Sequence, residues 1–413
     1  MKRYLVGGAV RDKLLNIETK ERDWLIVGAT PEQMLENKFI PVGKDFPVFL
    51  DPVTKEEYAL ARTERKTAKG YKGFSFFTDV NVSVEEDLLR RDLTINAIAQ
   101  DDEGNLIDPY GGVADINHKI LRHVSTAFIE DPLRVLRLAR FAAKFKHLGF
   151  RVADETIELV KEISNSGELE TLVAERVWQE LKKSLESPHP ETFIEVLRAG
   201  DALKIIFPEI DALFGVEQRA EYHPEIDCGI HILMCLQQAV KLNANSQTRF
   251  AVLGHDFGKA TTPKELLPKH VGHEIRSKHI VEDFCKRLRI PKDYEQIASM
   301  VAEHHLLTHT AFELRPSTVL KLFKRLSAFN RPENLHNFLL ACEADARGRT
   351  GFENRDYPNG SYLLFLFKAA QEVASSEVDA QKFTGIAFGK QLDQLRIDKI
   401  KHAQQQYRKL HGN

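Results

Sequence analysis

Residues 4–15 read YLVGGAVRDKLL: an apolar run, two glycines, then apolar residues at helical spacing. The order predicts a strand over 4–6, a tight turn at Gly7 and Gly8, and a helix behind it. Backbone N–H groups left open at such a turn admit a phosphate with no side chain in the way. Taken alone the pattern is weak, because glycine serves any tight turn. Arg11, one turn into the helix, adds positive charge beside the same spot.

Glu21-Arg22-Asp23 then leads into the apolar run WLIV at 24–27. If 21–27 is extended, Glu21 and Asp23 project from one face. Magnesium favours one or two carboxylates plus phosphate oxygens and water, and a metal pair both activates an attacking hydroxyl and neutralises a leaving pyrophosphate. An isolated ExD is more often a solvated turn. Its place just after a Gly-Gly turn shifts the weight.

Working outward, short apolar runs at 4–6, 23–27, 48–50, 58–61, 93–99 and 106–108 alternate with Gly, Pro and charged turns, which predicts a strand-rich α/β head. From Asp131 onward apolar residues recur at three and four (Leu133, Leu136, Leu138, Phe141, Phe145), so the rest of the chain is expected to be helical. SPHPE at 187–191 and the proline-rich stretch 205–227 read as joints. The expected organisation is α+β: an α/β head at 1–139, an all-helical neck at 140–210, a histidine-rich helical domain at 220–350 and a helical tail at 351–413.

The composition fits this. The 413 residues are enough for two or three folded units, and 43% apolar with 29% charged residues excludes disordered, collagen-like and coiled-coil classes. A formal charge of -2 gives no overall pull toward nucleic acid, so a polyanion site must be a local concentration of Lys and Arg. Four cysteines without a CxxC pair suit reduced thiols and a cytoplasmic setting. No signal peptide or membrane-spanning stretch is evident.

The local concentration is easily found. Between 119 and 151 there are eight Lys or Arg and two acids. Arg134, Arg137 and Arg140 lie three apart in EDPLRVLRLAR, along one side of a predicted helix, with leucines interleaved. Asp131 before Pro132 is also how many helices begin. Asp87-Leu-Leu-Arg90-Arg91-Asp92 packs charges against LTINA, and RTERKTAKGYKGF at 62–74, with five basic residues and one acid, reads as a mobile loop. Farther on, Gly254-His255-Asp256-Phe257-Gly258-Lys259 is preceded by His231 and followed by His273, His305 and Asp345. Imidazoles and carboxylates are the ligands of a hydrolytic divalent metal, and a helix bundle converges residues distant in sequence. His279, His304 and His309 read as packing or surface histidines.

Taken in order, LVGGAVRD, the acidic-x-Asp-Trp step, EEYALARTERK, RRDLTINA, EDPLRVLRLARF and ERVWQEL resemble the motifs of the bacterial CCA-adding enzymes. These are the class II tRNA nucleotidyltransferases of the polymerase-β superfamily. PEIDALFG, HPEID, GHDFGK and EADARGRTGFE resemble the longer, multifunctional proteobacterial members, and the resemblance spans the chain. It implies a polymerase-β-type nucleotidyltransferase head followed by a helical neck, an HD-type helical domain and a helical tail. It implies Gly8, Arg11, Arg91, Arg137 and Arg140 in contact with CTP or ATP, and Glu21 and Asp23 as catalytic ligands of Mg2+. Many members carry Asp where this chain has Glu21. A third carboxylate is not evident; Glu57 beside the YALA run is a candidate.

The resemblance also implies that Asp131 and Arg134 select the base. Cytosine and adenine both offer an amino donor beside a ring-nitrogen acceptor, whereas uracil and guanine invert the order and would leave buried polar groups unpaired. Similarity to the HD phosphohydrolases implies His231, His255, Asp256 and Asp345 as metal ligands, with His273 and His305 as phosphate or second-metal contacts. The implied metal there is a divalent transition metal, nickel being the one associated with the family's phosphatase.

The implied function is addition and repair of the tRNA 3'-terminal CCA from CTP and ATP. To this is joined 2',3'-cyclic phosphodiesterase, 2'-nucleotidase and phosphatase activity, in a monomer or homodimer with no membrane partner. The tail at 390–409 carries six basic residues against two acids, which suits either tRNA contact or a solvated helix. Competing readings are a poly(A) polymerase, a metal phosphohydrolase with an RNA-binding head, and a non-catalytic RNA-binding protein.

Overall fold

The computed structural model describes residues 1–19, 22–42, 48–66, 74–379 and 381–411, with backbone alone over 64–66 and 74–78. The chain divides into two compact units, Met1–Ile206 and Phe207–Asn413.

The first unit is built on β1 (Lys2–Val6), α1 (Gly8–Leu14), β2 (Asp23–Val27), α2 (Pro31–Glu36), β3 (Ile40–Val42), β4 (Val48–Leu50) and β5 (Glu57–Leu60). A hairpin of β6 (Arg62–Lys66) and β7 (Phe74–Thr78) follows, then α3 (Val84–Leu89), β8 (Ala99–Gln100), β9 (Leu106–Ile107) and α4 (Gly112–His118). Seven strands form one sheet in the order β3-β4-β5-β2-β1-β8-β9, in which only β2 and β5 run parallel. Successive β2 residues face opposite sides of the sheet. Leu25 joins Val6, Leu88 and Ala97 on one side, and Ile26 joins Met34, Phe49 and Tyr58 on the other.

A short parallel pair, β10 (Ile120–Leu121) and β11 (Arg151–Val152), brackets α5 (Leu133–Phe145). The neck continues with α6 (Asp154–Asn165), α7 (Ala174–Leu185), α8 (Pro190–Ala199) and α9 (Leu203–Ile206). The SPHPE stretch is the corner between α7 and α8, with Pro190 opening α8, where a missing N–H costs nothing.

Two expectations are corrected. LTINAIA does not form a strand: Leu93 makes a single bridge to His123, Thr94–Asn96 is a 3-10 turn, and strand pairing begins at Ala99. Leu93, Ile95, Ala97 and Ile98 are all buried, and a run buried on every side carries no period from which to tell a strand from a turn. The expected mobile loop at 62–74 is flanked instead by the antiparallel pairing of β6 with β7, Arg62 opposite Thr78. Residues 67–73 of that stretch lie outside the described residues.

The second unit contains α10 (Pro208–Asp211), α11 (Cys228–Lys241), α12 (Ser246–Gly254), α13 (His273–Leu288), α14 (Lys292–His309) and α15 (Pro316–Arg325). It ends with α16 (Pro332–Arg347), α17 (Pro358–Gln371) and α18 (Gly385–His411). Helix α14 packs on α12, α13 and α16, and α11 packs on α12 and α16, so these five surround a common interior. Among the described residues no helix is long and apolar enough to cross a membrane.

Candidate active sites

The head site assembles at one end of the sheet. Val6, the last residue of β1, is paired with Asp23, and Asp23 is in parallel register with Glu57, the first residue of β5. The Gly7 turn and two exposed carboxylate residues therefore share one edge. Gly7 has φ 65, and a Cβ there would lie 2.8 Å from Arg91 Nη1, so glycine is needed both for the turn and for the close approach of a guanidinium. Glu21 lies outside the described residues.

Arg91 is held in place by Asp87, whose Oδ2 is 3.1 Å from Arg91 Nη2 and whose Oδ1 is 2.6 Å from Arg90 Nη2. Burial raises the Asp87 carboxyl, but these two arginines outweigh it and hold it below its ordinary range. Arg11 is buried rather than displayed on α1. Its Nη1 donates to Asn96 Oδ1 (2.5 Å), its Nε donates to Asp12, and its guanidinium lies about 5 Å from the ring centres of Phe141 and Phe145.

The three arginines of α5 share a helix side but not a partner. Arg134 is buried and donates to the carbonyls of Ala127 (2.7 Å) and Arg90 (2.5 Å). Arg137 grips Asp92 at 2.6 Å, and Arg140 Nε donates to Glu180 of α7 at 2.5 Å. Asp131 accepts from Leu133 N through Oδ1, as a helix cap does, and meets Arg176 at 3.3 Å through Oδ2.

Asp92 is a hub that sequence reasoning missed. Besides Arg137 it accepts from Asn96 Nδ2 and Leu93 N, and Asn96 in turn accepts from Arg11. Burial raises its carboxyl, but Arg137 and the Asn96 hydrogen bond hold it far below the usual carboxylate range. The signal was present as an Asp and an Asn four residues apart in RRDLTIN.

The second site is the interior of the α11–α16 bundle. His231 comes from α11, His255 and Asp256 from the end of α12, His273 from α13, His305 from α14 and Asp345 from α16. His231 Nε2 is 3.1 Å from Asp345 Oδ1, and His255 Nε2 is 3.2 Å from Asp256 Oδ2 and 3.7 Å from Asp345 Oδ1. His273 Nε2 is 3.3 Å from Asp256 Oδ1 and 3.4 Å from His305 Nε2. Every expected histidine and carboxylate of this set is thus brought together.

The local fold explains the convergence. A Cβ on Gly258 would lie 2.5 Å from Ser277 N, so the turn after His255-Asp256 presses against α13 only because residue 258 is glycine. Phe257 is buried against Phe284 of α13, fixing the same turn.

Each inner imidazole has its outer nitrogen committed. His255 Nδ1 lies 2.8 Å from Val252 O, His273 Nδ1 2.8 Å from His270 O, and His305 Nδ1 3.0 Å from Val301 O. The Nε2 lone pairs are left facing the carboxylates, as in metal sites whose ligands are oriented from behind. His255 Nε2 and Asp256 Oδ1 are buried with no hydrogen-bond partner among the described residues, a deficit that a cation would repair.

The electrostatics agree. Burial alone lowers the His255 imidazole, but Asp256 and Asp345 push it up to about 10, whereas burial and neighbouring His255 push His305 down to about 3. The carboxylates that draw a proton to His255 equally draw a divalent ion. His231, Cys235, His255 and Asp345, and separately His255, Asp256 and His305, lie close enough to share one. These residues fit a metal of nitrogen and oxygen preference.

The pocket over this cluster has a volume of about 500 Å³ and is lined also by Lys259, His309 and Arg349. His309, expected to be a packing or surface residue, instead sits 2.8 Å from Asp345 Oδ2. Its spacing of four from His305 places both on one face of α14, which the sequence displays as HHLLTH. His304 faces Glu303 and Arg325, and His279 is exposed beside Glu282. Lys259 contacts Asp256 at 2.7 Å, and Glu225 touches both His223 and His231.

Comparison with known proteins follows the same division. The Poly A polymerase head domain matches residues 3–122, the probable RNA and SrmB-binding site of polymerase A matches 149–214, and the HD domain matches 229–346. The solved Bacillus stearothermophilus CCA-adding enzyme in complex with CTP superposes with a TM-score of 0.65 at 22% identity, over 97% of this chain and 89% of that one. The Thermotoga maritima CCA-adding enzyme complexed with tRNA gives a TM-score of 0.63 at 20% identity, over 97% and 87%. Both establish the polymerase-β-type α+β fold. The Multifunctional CCA protein of Acinetobacter baylyi is 56% identical over 407 residues, 98% of each chain. With an enzyme head, an HD bundle and that identity along its whole length, this chain belongs to the multifunctional CCA protein family of tRNA nucleotidyltransferases.

Proposed function

We propose that the chain adds and repairs the 3'-terminal CCA of tRNA from CTP and ATP, in the cytoplasm, and that its HD bundle hydrolyses phosphate esters at RNA ends. The observation that carries the first activity is the register of Asp23 with Glu57 beside the Gly7 turn and Arg91. Asp23 and Glu21 hold magnesium, with Glu57 as the third carboxylate. Magnesium bound there supplies charge neutralisation for attack of the RNA 3'-hydroxyl on the α-phosphate and for the departing pyrophosphate.

The protein's own part is positioning. The Gly7–Gly8 backbone and Arg91 receive the triphosphate, while Arg11, Arg137 and Arg140 pin α1 and α5 beside it and add positive potential. Asp131 and Arg134 read the base edge. Support for Asp131 is its partly exposed pairing with Arg176, which a base amino group replaces at little cost. Arg134 exchanges its bonds to Ala127 and Arg90 carbonyls when it turns to the nucleotide. The four cysteines, all buried free thiols, suit a reducing compartment.

In the HD bundle His231, His255, Asp256 and Asp345 hold a divalent ion, nickel by preference, which supplies Lewis acidity for attack of water on phosphorus. Lys259, His273, His305 and Arg349 receive the phosphate oxygens. The activities are 2',3'-cyclic phosphodiesterase, 2'-nucleotidase and phosphatase.

A tRNA lacking its last three nucleotides, incubated with CTP, ATP and magnesium, tests the head. Three added residues of sequence CCA are expected, a long A-tail marks a poly(A) polymerase, and no extension leaves a phosphohydrolase with an RNA-binding head. Hydrolysis of a 2',3'-cyclic phosphate, lost in His255→Ala and Asp256→Ala, tests the bundle.

A further inference from the structure

Beside the histidine pocket lies a second cavity of about 300 Å³, and His309 and Arg349 line both. Its other walls come from the stretch 346–359, in which the metal cluster uses no side chain. Three guanidiniums line it, those of Arg347, Arg349 and Arg355, against one carboxylate, that of Asp356. Arg347 Nη2 holds Glu343 at 2.8 Å and Arg349 Nη2 reaches Asp345 at 3.4 Å. The Nε atoms of Arg347 and Arg349 are nonetheless buried with no hydrogen-bond partner among the described residues.

Three guanidiniums around one cavity favour an anion there, and a guanidinium fork matches phosphate geometry. Aromatic surface stands beside them. Arg355 lies over the Phe352 ring at 5.1 Å, and Tyr357 Oη is 3.3 Å from His309 Nδ1, on the wall between the two cavities. Unpaired bases stack on such rings and on guanidinium planes.

We infer that this cavity is a subsite for the phosphodiester on the 5' side of the terminal nucleoside, whose 2',3'-phosphate lies in the histidine pocket. The preferred substrate of the bundle is then an RNA end of at least two nucleotides, not a free nucleotide. This rests on the phosphohydrolase reading above.

The test uses the full chain loaded with nickel. Its kcat/KM is measured on adenosine 2',3'-cyclic phosphate and on a diadenosine dinucleotide ending in the same cyclic phosphate. The dinucleotide is expected to be favoured at least tenfold, mainly through KM. That preference shrinks toward unity in Arg355→Ala and Arg347→Gln, and with rising salt. Arg355 is exposed, so its variant keeps the test valid if Arg347→Gln fails to fold.

Equal kcat/KM on the two substrates, or a preference unchanged in Arg355→Ala, overturns the subsite. If neither substrate is cleaved, the phosphohydrolase reading fails, and calorimetry with uncleavable diadenosine against adenosine decides the subsite alone. Tighter dinucleotide binding that is lost in Arg355→Ala supports it, and equal binding refutes it.

Discussion

Asp23 and Glu57 open two parallel strands in direct register, on one face and at one edge of the sheet, with Asp23 directly opposite Val6 at the end of β1. Two carboxylate residues in register on neighbouring strands supply the oxygen ligands that magnesium favours. Asp23→Asn is expected to lower the rate of CMP incorporation into tRNA by on the order of 10²–10³-fold, as loss of a group that stabilises transition-state charge does. Glu57→Gln should cost less. Single-turnover incorporation measures both, and a Glu57→Gln rate equal to wild type removes Glu57 from the metal site.

Gly7 adopts φ 65 with Arg91 Nη1 where its Cβ would be. Gly7→Ala places an L side chain at φ 65 and ψ -125, a region that costs about 1–3 kcal/mol, and displaces the guanidinium. Thermal unfolding should show Tm lowered by several degrees, and the KM for CTP should rise. A variant with lowered Tm and unchanged KM would separate the fold of the turn from nucleotide binding.

Asp92 gives the head an acid-sensitive joint. Its carboxyl is depressed in the fold, so the stability it contributes is fully present above its unfolded pKa of about 3.9. That stability is lost as pH falls below about 4 toward the folded value. Asp92→Asn should cost about 1–3 kcal/mol at pH 7, because partly exposed Arg137 loses a charge-assisted hydrogen bond, and should flatten the acid dependence of urea unfolding. Parallel pH curves for wild type and variant would show that Asp92 does not carry the effect.

These joints also mark what was legible in the sequence and what was not. YLV, DWLIV and VFL announced β1, β2 and β4 because apolar runs between turn residues leave few alternatives. LTINAIA misled because burial on all sides erases periodicity. The helical spacing of Arg134, Arg137 and Arg140 was correct, yet spacing says nothing of partners. Arg134 satisfies its guanidinium on backbone carbonyls, Arg137 on Asp92 and Arg140 on Glu180, contacts made across 7 to 45 residues. The histidine cluster was legible through the His255-Asp256 tandem and the resemblance of its His, His-Asp, Asp order to the HD pattern, since those side chains suit metal chemistry. Glu225 and Arg349 escaped because an isolated Glu or Arg reads as surface until its depth is known.

In the bundle, His255 Nε2 and Asp256 Oδ1 are buried with no hydrogen-bond partner among the described residues, His255 Nε2 lying 3.2 Å from Asp256 Oδ2 and Asp256 Oδ1 3.3 Å from His273 Nε2. Leaving such groups unpaired costs about 1–3 kcal/mol apiece, and relief of that cost contributes to the affinity of an ion that pairs them. Nickel or manganese at a hundredfold excess over its Kd should add about 2.7 kcal/mol to the unfolding free energy of this unit, visible as a raised Tm. A chelator should reverse the rise. His255→Ala should abolish it while leaving magnesium-dependent CMP incorporation by the head in place, since the two metal sites belong to separate units of the chain. A Tm that ignores added metal in the wild type, measured after exhaustive chelation and dialysis, would mean that the buried atoms are satisfied by water and not by an ion.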